Sequence, residues 1–122
     1  MATPEQIKAS YRRNLKETVV IRRFTGTGTN RPKFEASARA QVVGYAPHEL
    51  IGGIVQGDRK IILYADDLIE QGWAPAPGTR RLITENDFAV VRGAQLAIIA
   101  ADDSTRRVDG TLIAFELQVR GG

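Results

Sequence analysis

Residues 112–119 read Leu-Ile-Ala-Phe-Glu-Leu-Gln-Val, and this stretch carries the clearest structural signal in the chain. Large apolar side chains occupy every second position, at Ile113, Phe115, Leu117 and Val119. Successive side chains of a β-strand point to opposite faces, so a period of two predicts a strand with one buried face. We therefore begin from a strand at the C-terminal end of the chain.

Shorter segments with the same character precede it. The segment 17–24 contains a β-branched run from Thr18 to Ile21, and in 36–43 small apolar residues alternate with polar ones. The apolar runs 49–56 and 60–65 are joined by a short polar link, 57–59, which predicts a hairpin. Three more strands are predicted at 80–84, 88–92 and 94–101. Short strands at regular spacing, with turn residues between them, predict a mainly β fold, a small β-barrel or sandwich.

The N-terminus carries the signals that begin an α-helix. Thr3 can act as the N-cap, Pro4 suits the first helical position, and Gln6 completes a capping box. We predict one N-terminal helix over about 4–16, which ends where the strand at 17–24 begins.

This helix presents a basic ridge beside an apolar stripe. The ridge consists of Lys8, Arg12, Arg13 and Lys16, and the stripe consists of Ile7, Tyr11 and Leu15. Like charges one turn apart repel each other by roughly a few tenths of a kcal/mol per pair, so we expect a partner to offset that cost. Three roles remain: a face in solvent, a docking face for an acidic surface of a neighbouring protein, or a lining for a DNA path.

A long loop is predicted between the first two strands. Residues 25–33 lack periodicity, and they contain Gly26, Gly28, Arg31 and Lys33. A polar segment with two glycines cannot offset its own ordering entropy, so we expect this loop to become ordered only within an assembly.

A short internal helical turn is predicted in the middle of the chain. Asp66 or Asp67 can cap a turn over 68–70, and Gly72 stands where a helix C-terminus prefers glycine. Trp73 follows in a proline-containing loop. It either plugs one end of the barrel or lies at a contact between subunits, where tryptophan is enriched.

A charged loop over 102–110 is predicted to join the last two strands. It holds Arg106 and Arg107, together with the neighbouring carboxylates Asp102 and Asp103. Adjacent side chains in a turn point in different directions, so turn formation explains the carboxylate pair better than acid–base chemistry does.

Composition narrows the class of protein. The 122 residues fit a single domain, 1–122, in which the barrel occupies about 17–121. The absence of cysteine excludes disulfides and thiolate metal sites, which is typical of a chain made in a reducing cytoplasm. No apolar stretch approaches the roughly 20 residues that span a bilayer, so we expect no membrane association.

The charge balance suggests partners with negative patches. The net charge is only +3, yet thirteen of the 17 basic residues are arginine, the side chain suited to bidentate pairing with carboxylates and phosphates. Protein and nucleic acid both offer such patches. A mixed surface with 25% charged residues is also typical of an ordinary soluble domain.

The sequence contains no recognisable catalytic or cofactor motif. The Gly26 to Gly28 segment lacks the lysine of a phosphate loop and the third glycine of a dinucleotide fold. His48 is the only histidine, and nothing places a carboxylate and a hydroxyl beside it. We predict a surface histidine, no enzymatic activity, no metal and no cofactor.

Several motifs, taken in order, carry a resemblance to a known family. They are Val19-Val20-Ile21-Arg22-Arg23, Ala40-Gln41-Val42-Val43-Gly44-Tyr45 with Pro47-His48-Glu49-Leu50, Gln56-Gly57-Asp58-Arg59-Lys60-Ile61-Ile62-Leu63, Gly72-Trp73, the turn Glu85-Asn86-Asp87, and the ending Val119-Arg120-Gly121. Together they cover nearly the whole chain. In this order they resemble the head-closure, or stopper, proteins of long-tailed phages and gene transfer agents.

The resemblance implies a structural protein of the virion neck. In that family a small β-barrel with an N-terminal helix forms a homo-oligomeric ring below the portal and its adaptor. The ring closes the DNA channel and receives the tail terminator or tail-tube proteins, so the implied location is the head–tail junction of a particle assembled in the host cytoplasm. The candidate contacts with partners or with packaged DNA are Lys8, Arg12, Arg13, Lys16, Gly26, Gly28, Arg31, Lys33, Trp73, Arg106 and Arg107.

Three other classes remain as alternatives. Adaptors and tail terminators are head–tail joining proteins of similar size. A small nucleic-acid-binding β-barrel uses exposed aromatic residues interleaved with basic ones. Against that alternative, the phenylalanines Phe24, Phe34, Phe88 and Phe115 are predicted to lie mostly at core-facing positions. An enzyme or small-molecule binder is the third class, and no motif favours it.

Overall fold

The computed structural model describes residues 2–25, 32–45, 48, 57–75 and 78–121. Within these residues the chain forms a closed barrel of six strands, an N-terminal helix, a short second helix and a separate two-stranded hairpin. The predicted mainly β fold is therefore confirmed, and the barrel is the form it takes.

The elements follow one another in a simple order. They are α1 Pro4–Asn14, β1 Glu17–Phe24, β2 Lys33–Gly44, β3 Arg59–Tyr64, α2 Ala65–Glu70, β4 Phe88–Val91, β5 Ala94–Asp102, β6 Arg107–Val108, β7 Thr111–Leu112 and β8 Ala114–Arg120. Around the barrel the strands run β1-β2-β3-β8-β5-β4, and all neighbouring pairs are antiparallel. Neither helix of the described residues is long and apolar enough to span a membrane.

The barrel interior is filled by side chains that alternate along the strands. On β8, Phe115, Leu117 and Val119 are buried as the period of two predicts. On β2 the buried positions are alanines, including Ala36 and Ala38. Small residues on one strand leave room for large ones on its neighbours, which is how a narrow barrel closes around a solid core.

Helix α1 begins as predicted and ends earlier than predicted. The Thr3 hydroxyl accepts a hydrogen bond from the Gln6 backbone, and the Gln6 side chain returns one to Thr3, so the capping box is confirmed. The helix ends at Asn14 instead of residue 16, because Leu15 adopts an extended conformation and buries its side chain. Leu15 thereby leads the chain directly into β1.

The neighbours of β3 differ from the predicted hairpin. Gly44 lies opposite Arg59 in the β2–β3 pair, and the other edge of β3 pairs with β8. The predicted hairpin partner, 49–56, lies outside the described residues. Within the described residues, one edge of β3 is taken by β2 and the other by β8.

Helix α2 is not capped by the residues that the sequence suggested. Its N-cap is Tyr64, which makes no side-chain capping bond, and Asp66 and Asp67 lie within the first turn. Asp67 instead accepts a hydrogen bond from the Arg39 backbone at 2.9 Å. Gly72 follows the helix with a φ of +82°, as predicted.

The same helix protects an edge of β2. The side-chain amide of Gln71 accepts from the backbone nitrogen of Ser37 at 3.1 Å and donates to its carbonyl at 2.5 Å. Because β3 pairs with β2 only from Ala40 onward, these side chains replace the missing strand neighbour at Ser37 and Arg39. A short helix therefore completes the sheet where a strand does not reach.

Residues 80–84 do not form the predicted strand. The carbonyl of Leu82 accepts hydrogen bonds from Trp73 Nε1 and Arg23 Nη2, and the Thr84 carbonyl accepts from the backbone of Asp87. These long-range bonds and the turn occupy the backbone groups that a sheet would need. The apolar character of the segment instead buries Ile83.

Two tight hairpins shape the C-terminal half. Arg92 and Gly93 join β4 to β5 with φ values of +49° and +84°, and Asp109 and Gly110 join β6 to β7 in the same way. Consecutive positive φ values are typical of two-residue turns that match the twist of β-hairpins. The predicted last strand is divided at Ile113 into β7 and β8, because the Ile113 N–H donates to the Arg106 carbonyl instead of to a neighbouring strand.

Candidate functional site

The basic ridge of α1 is partly used inside the molecule. Lys8 Nζ lies 2.9 Å from Asp66 and 3.9 Å from Glu5, and only 13% of its side chain is exposed. The hydrogen bond to Asp66 and the nearby negative charges raise the Lys8 pKa despite partial burial. Lys8 thus fastens α1 to α2, and the carboxylate that the sequence suggested as a cap is its partner.

Arg12 forms the second fastening of α1. Its Nη1 donates to the hydroxyl of Tyr64 at 2.7 Å, and its guanidinium lies 5.9 Å from the centre of the Tyr64 ring. Tyr64 is 2% exposed and stands at the end of β3. Arg12 therefore connects the helix to the barrel wall.

The other half of the ridge faces outward. Arg13 and Lys16 are exposed, and neither has a hydrogen-bond or ion-pair partner among the residues that the structure describes. The repulsion argued from sequence is thus answered at Lys8 and Arg12 by intramolecular contacts. Lys16 lies beyond the end of α1 at Asn14, so its predicted place on the helix is wrong.

Arg106 reaches back from the loop after β5 to the same helix. Its Nη1 donates to the Tyr11 hydroxyl at 2.8 Å, and its Nη2 donates to Glu116 of β8 at 2.9 Å. Burial disfavours the charged form, but the bonds to Tyr11 and Glu116 outweigh it and raise the Arg106 pKa. The Nε of Arg106 is buried and has no hydrogen-bond partner in the part of the chain that the structure describes.

A cavity of about 180 Å³ opens between α1, the barrel wall and this arginine. We call it the Arg106 cavity, and its walls include Tyr11, Asn14, Leu15, Gln41, Ile62 and Arg106. Hydroxyl and amide groups stand beside an apolar floor, and the volume is smaller than that of typical small-molecule sites. The size suits one side chain of another molecule better than a cofactor.

The remaining predicted contact residues do not gather at this cavity. Arg107 is held within its own hairpin, where it donates to the carbonyls of Asp103 and Gly110. Lys33 is exposed at the start of β2. The predicted candidates Gly26, Gly28 and Arg31 lie outside the described residues.

Trp73 closes one end of the barrel. It is 3% exposed and belongs to the core, its Nε1 donates to Leu82, and the Arg23 guanidinium lies 4.4 Å from its ring centre. Phe34 stacks on the ring at 5.3 Å. Of the two predicted roles of Trp73, its burial in the core fits the plug, and the aromatic ring that reaches the surface here is Phe34.

A buried ion pair lies under this plug, and sequence reasoning missed it. Arg23 binds Asp87 with two hydrogen bonds of 2.8 and 3.0 Å, and Asp87 is 1% exposed. Asp87 also accepts from the Thr84 backbone, and Arg23 also donates to the Ala74 carbonyl. We call Arg23, Asp87 and Trp73 the barrel-end cluster. Its charged groups are separated by 64 residues, so no local spacing could reveal it.

A second buried carboxylate locks the strand ends elsewhere. Asp58 is 3% exposed and accepts hydrogen bonds from Arg120 at 2.8 and 2.9 Å and from Gln118 at 2.8 Å. The paired arginine has a raised pKa because of this hydrogen bond. Such paired groups hold the ends of the strands in one arrangement.

In the 102–110 loop the Asp102 carboxylate accepts the hydrogen bonds of a turn, as predicted. Asp102 accepts hydrogen bonds from the backbone and hydroxyl of Ser104 at 2.7 Å each, and from Thr105. The Thr105 and Ser104 bonds lower the Asp102 pKa to about 2. His48 is exposed, as predicted. Within the described ranges, no group of three or more histidine and carboxylate side chains could hold a metal ion.

The phenylalanines depart from the core-facing prediction. Phe115 is in the core, and Phe24 and Phe88 form a half-buried edge-to-face pair with centroids 5.8 Å apart. Phe34 is 43% exposed, although its phase along β2 matches that of the buried alanines. It lies at the end of the strand, where the barrel opens and an inward-facing side chain meets solvent.

Comparison with known proteins gives no assignment of family. No protein-family model matches the chain, and no curated protein matches it either.

Proposed function

We propose that this chain is a structural subunit of the neck of a tailed phage or a related particle. It forms a head-closure ring that docks below the portal and adaptor, closes the DNA channel and offers a surface to the tail. The observation that carries the proposal is the agreement between the observed fold and the architecture that the resemblance implies. The motif resemblance implies a small barrel behind an N-terminal helix, and the chain folds as such a barrel with α1 fastened to its wall.

The charge distribution supports a structural role. The buried carboxylates Asp58 and Asp87 are each paired with an arginine. Groups neutralised in this way stabilise a rigid unit, whereas catalytic groups usually stand in a cleft with perturbed and unsatisfied charge. A rigid subunit suits a ring that must hold its shape under load.

Gene neighbourhood and reconstitution together test this proposal. The genes beside this one should encode a portal, an adaptor and a tail-tube protein. The purified chain should add a ring to a complex of that portal and adaptor, visible as an extra layer of density by electron microscopy. A chain that stays monomeric in the presence of both proteins would contradict the proposal.

One observation favours a second candidate, a barrel that binds single-stranded nucleic acid. Phe34 exposes a ring that is already stacked on Trp73, and Lys33 stands beside it in an exposed position. Bases stack on such platforms while cations contact the phosphates. Here the expected result is binding of a labelled oligonucleotide that weakens steeply between about 50 and 200 mM salt. Phe34→Ala should reduce that binding by roughly tenfold, and an equal affinity of variant and wild type would remove this candidate.

A further inference from the structure

We propose that Arg13, Lys16 and the Arg106 cavity form a docking surface for an acidic segment of the neighbouring neck protein. One carboxylate side chain of that segment enters the cavity. This inference rests on the proposed function, and it names the face of the subunit and the chemistry of its partner.

Two cations of the basic ridge bind within the molecule, and the other two are exposed. Lys8 and Arg12 are fastened to Asp66 and Tyr64, so they hold the helix and are not free to bind another molecule. The two remaining cations of the ridge are exposed and unpaired within the described chain. Their charge is available to a partner, and it attracts an acidic one.

The Arg106 cavity offers hydrogen-bond donors that suit a carboxylate. The Tyr11 hydroxyl accepts a hydrogen bond from Arg106, so its own proton remains free to be donated. Gln41 lines the same space, and its side-chain amide makes no hydrogen bond to another described residue. A carboxylate placed there meets two donors, with the positive charge of Arg106 behind them.

The guanidinium of Arg106 is only partly hydrogen-bonded within the described chain. Its Nε is buried without an acceptor, and Glu116 neutralises only one edge of the guanidinium. A buried donor of a charged group that lacks a partner is costly. A second carboxylate in the cavity places an attractive negative charge close to the guanidinium, which favours the bound state electrostatically.

A protein carboxylate fits this surface better than DNA does. Glu116 beside the cavity is paired with Arg106, and Glu17 next to Lys16 is paired with Arg92, so within the described chain this face offers only two unpaired cations to an extended phosphate backbone. Two unpaired cations would neutralise about two phosphates, and such DNA binding would change only about tenfold between 50 and 200 mM salt. A single side chain needs no more than the cavity provides.

The test compares matched charge reversals in the full chain. The double variant Arg13→Glu/Lys16→Glu changes the proposed surface, and Arg59→Glu/Arg80→Glu changes two exposed arginines elsewhere by the same charge. Binding to a fluorescent oligoglutamate peptide should weaken roughly tenfold in the first variant and less than about twofold in the second. Asn14→Phe, which fills the mouth of the cavity and leaves all charges in place, should weaken binding as well.

The same variants are then added to the portal and adaptor complex. If wild type forms the ring and Arg13→Glu/Lys16→Glu does not, the docking surface is supported. If both form it equally well, this inference fails while the proposed function stands. If wild type itself does not join, the proposed function fails.

Two further outcomes would overturn the inference. Equal weakening by the two charge-reversal variants would show that only net charge matters. Tighter binding of an oligonucleotide that displaces the peptide would assign the face to DNA. The milder Arg13→Gln/Lys16→Gln variant and a thermal unfolding curve for each protein separate loss of docking from loss of folding.

Discussion

The barrel-end cluster and the outer face of α1 use arginine in opposite ways. At the barrel end, Arg23 is bound on all sides by Asp87 and backbone carbonyls, and the pair is sealed beneath Trp73. On the basic ridge, Lys8 and Arg12 are fastened to the molecule and Arg13 and Lys16 are exposed, while the nearby Arg106 keeps a buried N–H without a partner in the described chain. The comparison teaches that charge in this protein is structural where it is fully paired and is available for recognition where it is not.

The largest expected effect is at the barrel end. Asp87→Ala leaves the Arg23 guanidinium buried without its counter-ion, so we expect a loss of about 3–5 kcal/mol in the free energy of unfolding. Urea denaturation measures it as a lower midpoint at unchanged slope. As a control, Glu35→Ala removes the partner of the more exposed Arg22 and should cost at most about 1 kcal/mol. Equal losses in the two variants would mean that burial of the pair is not what matters.

Neighbouring arginines on α1 give a sharper test of the comparison. Arg12→Gln removes the hydrogen bond to Tyr64 and should cost about 1 kcal/mol, because water replaces part of the contact. Arg13→Gln makes the same chemical change one residue later, where no partner exists in the described chain, and should stay within about 0.5 kcal/mol of wild type. If Arg13→Gln proved the more damaging variant, the assignment of structural and available cations would be reversed.

The smallest expected effect concerns pH. The pKa of Asp102 is lowered in the folded state, to about 2, so its contribution to stability is full above the unfolded value of about 4 and is lost as pH falls toward 2. The difference in unfolding free energy between wild type and Asp102→Asn should be constant from about pH 7 to 5 and shrink between about pH 4 and 2. Thr105→Val should show the same trend with smaller amplitude. A difference that grows on acidification would contradict the assignment.

Local patterns predicted the elements well where they were strong. The β-branched run at 17–24 became β1 with the same bounds, and the capping box at Thr3 began α1 as expected. The strand predicted at 80–84 did not form, and the cause is a set of tertiary contacts. Residues 80–84 are apolar enough for a strand, but Arg23 and Trp73 capture the Leu82 carbonyl from distant positions.

The sequence predicted the cations of the candidate site but not their contacts within the fold. Spacing along α1 identified the basic ridge, because it repeats every four residues. It could not show that Arg12 binds Tyr64, 52 residues away, or that Arg106 binds Tyr11 across 95 residues. Which cations are used internally depends on tertiary contacts, and the distinction between Arg12 and Arg13 therefore required the fold.

Hydrogen exchange measured by mass spectrometry tests the central claim most directly. The full chain is compared alone and assembled with the portal and adaptor proteins. We predict that backbone amides of 10–16 and of the loop around Arg106 become strongly protected on assembly, while those of 82–87, already held by the barrel-end cluster, do not change. Unchanged exchange at 10–16 together with new protection at 82–87 would contradict the account.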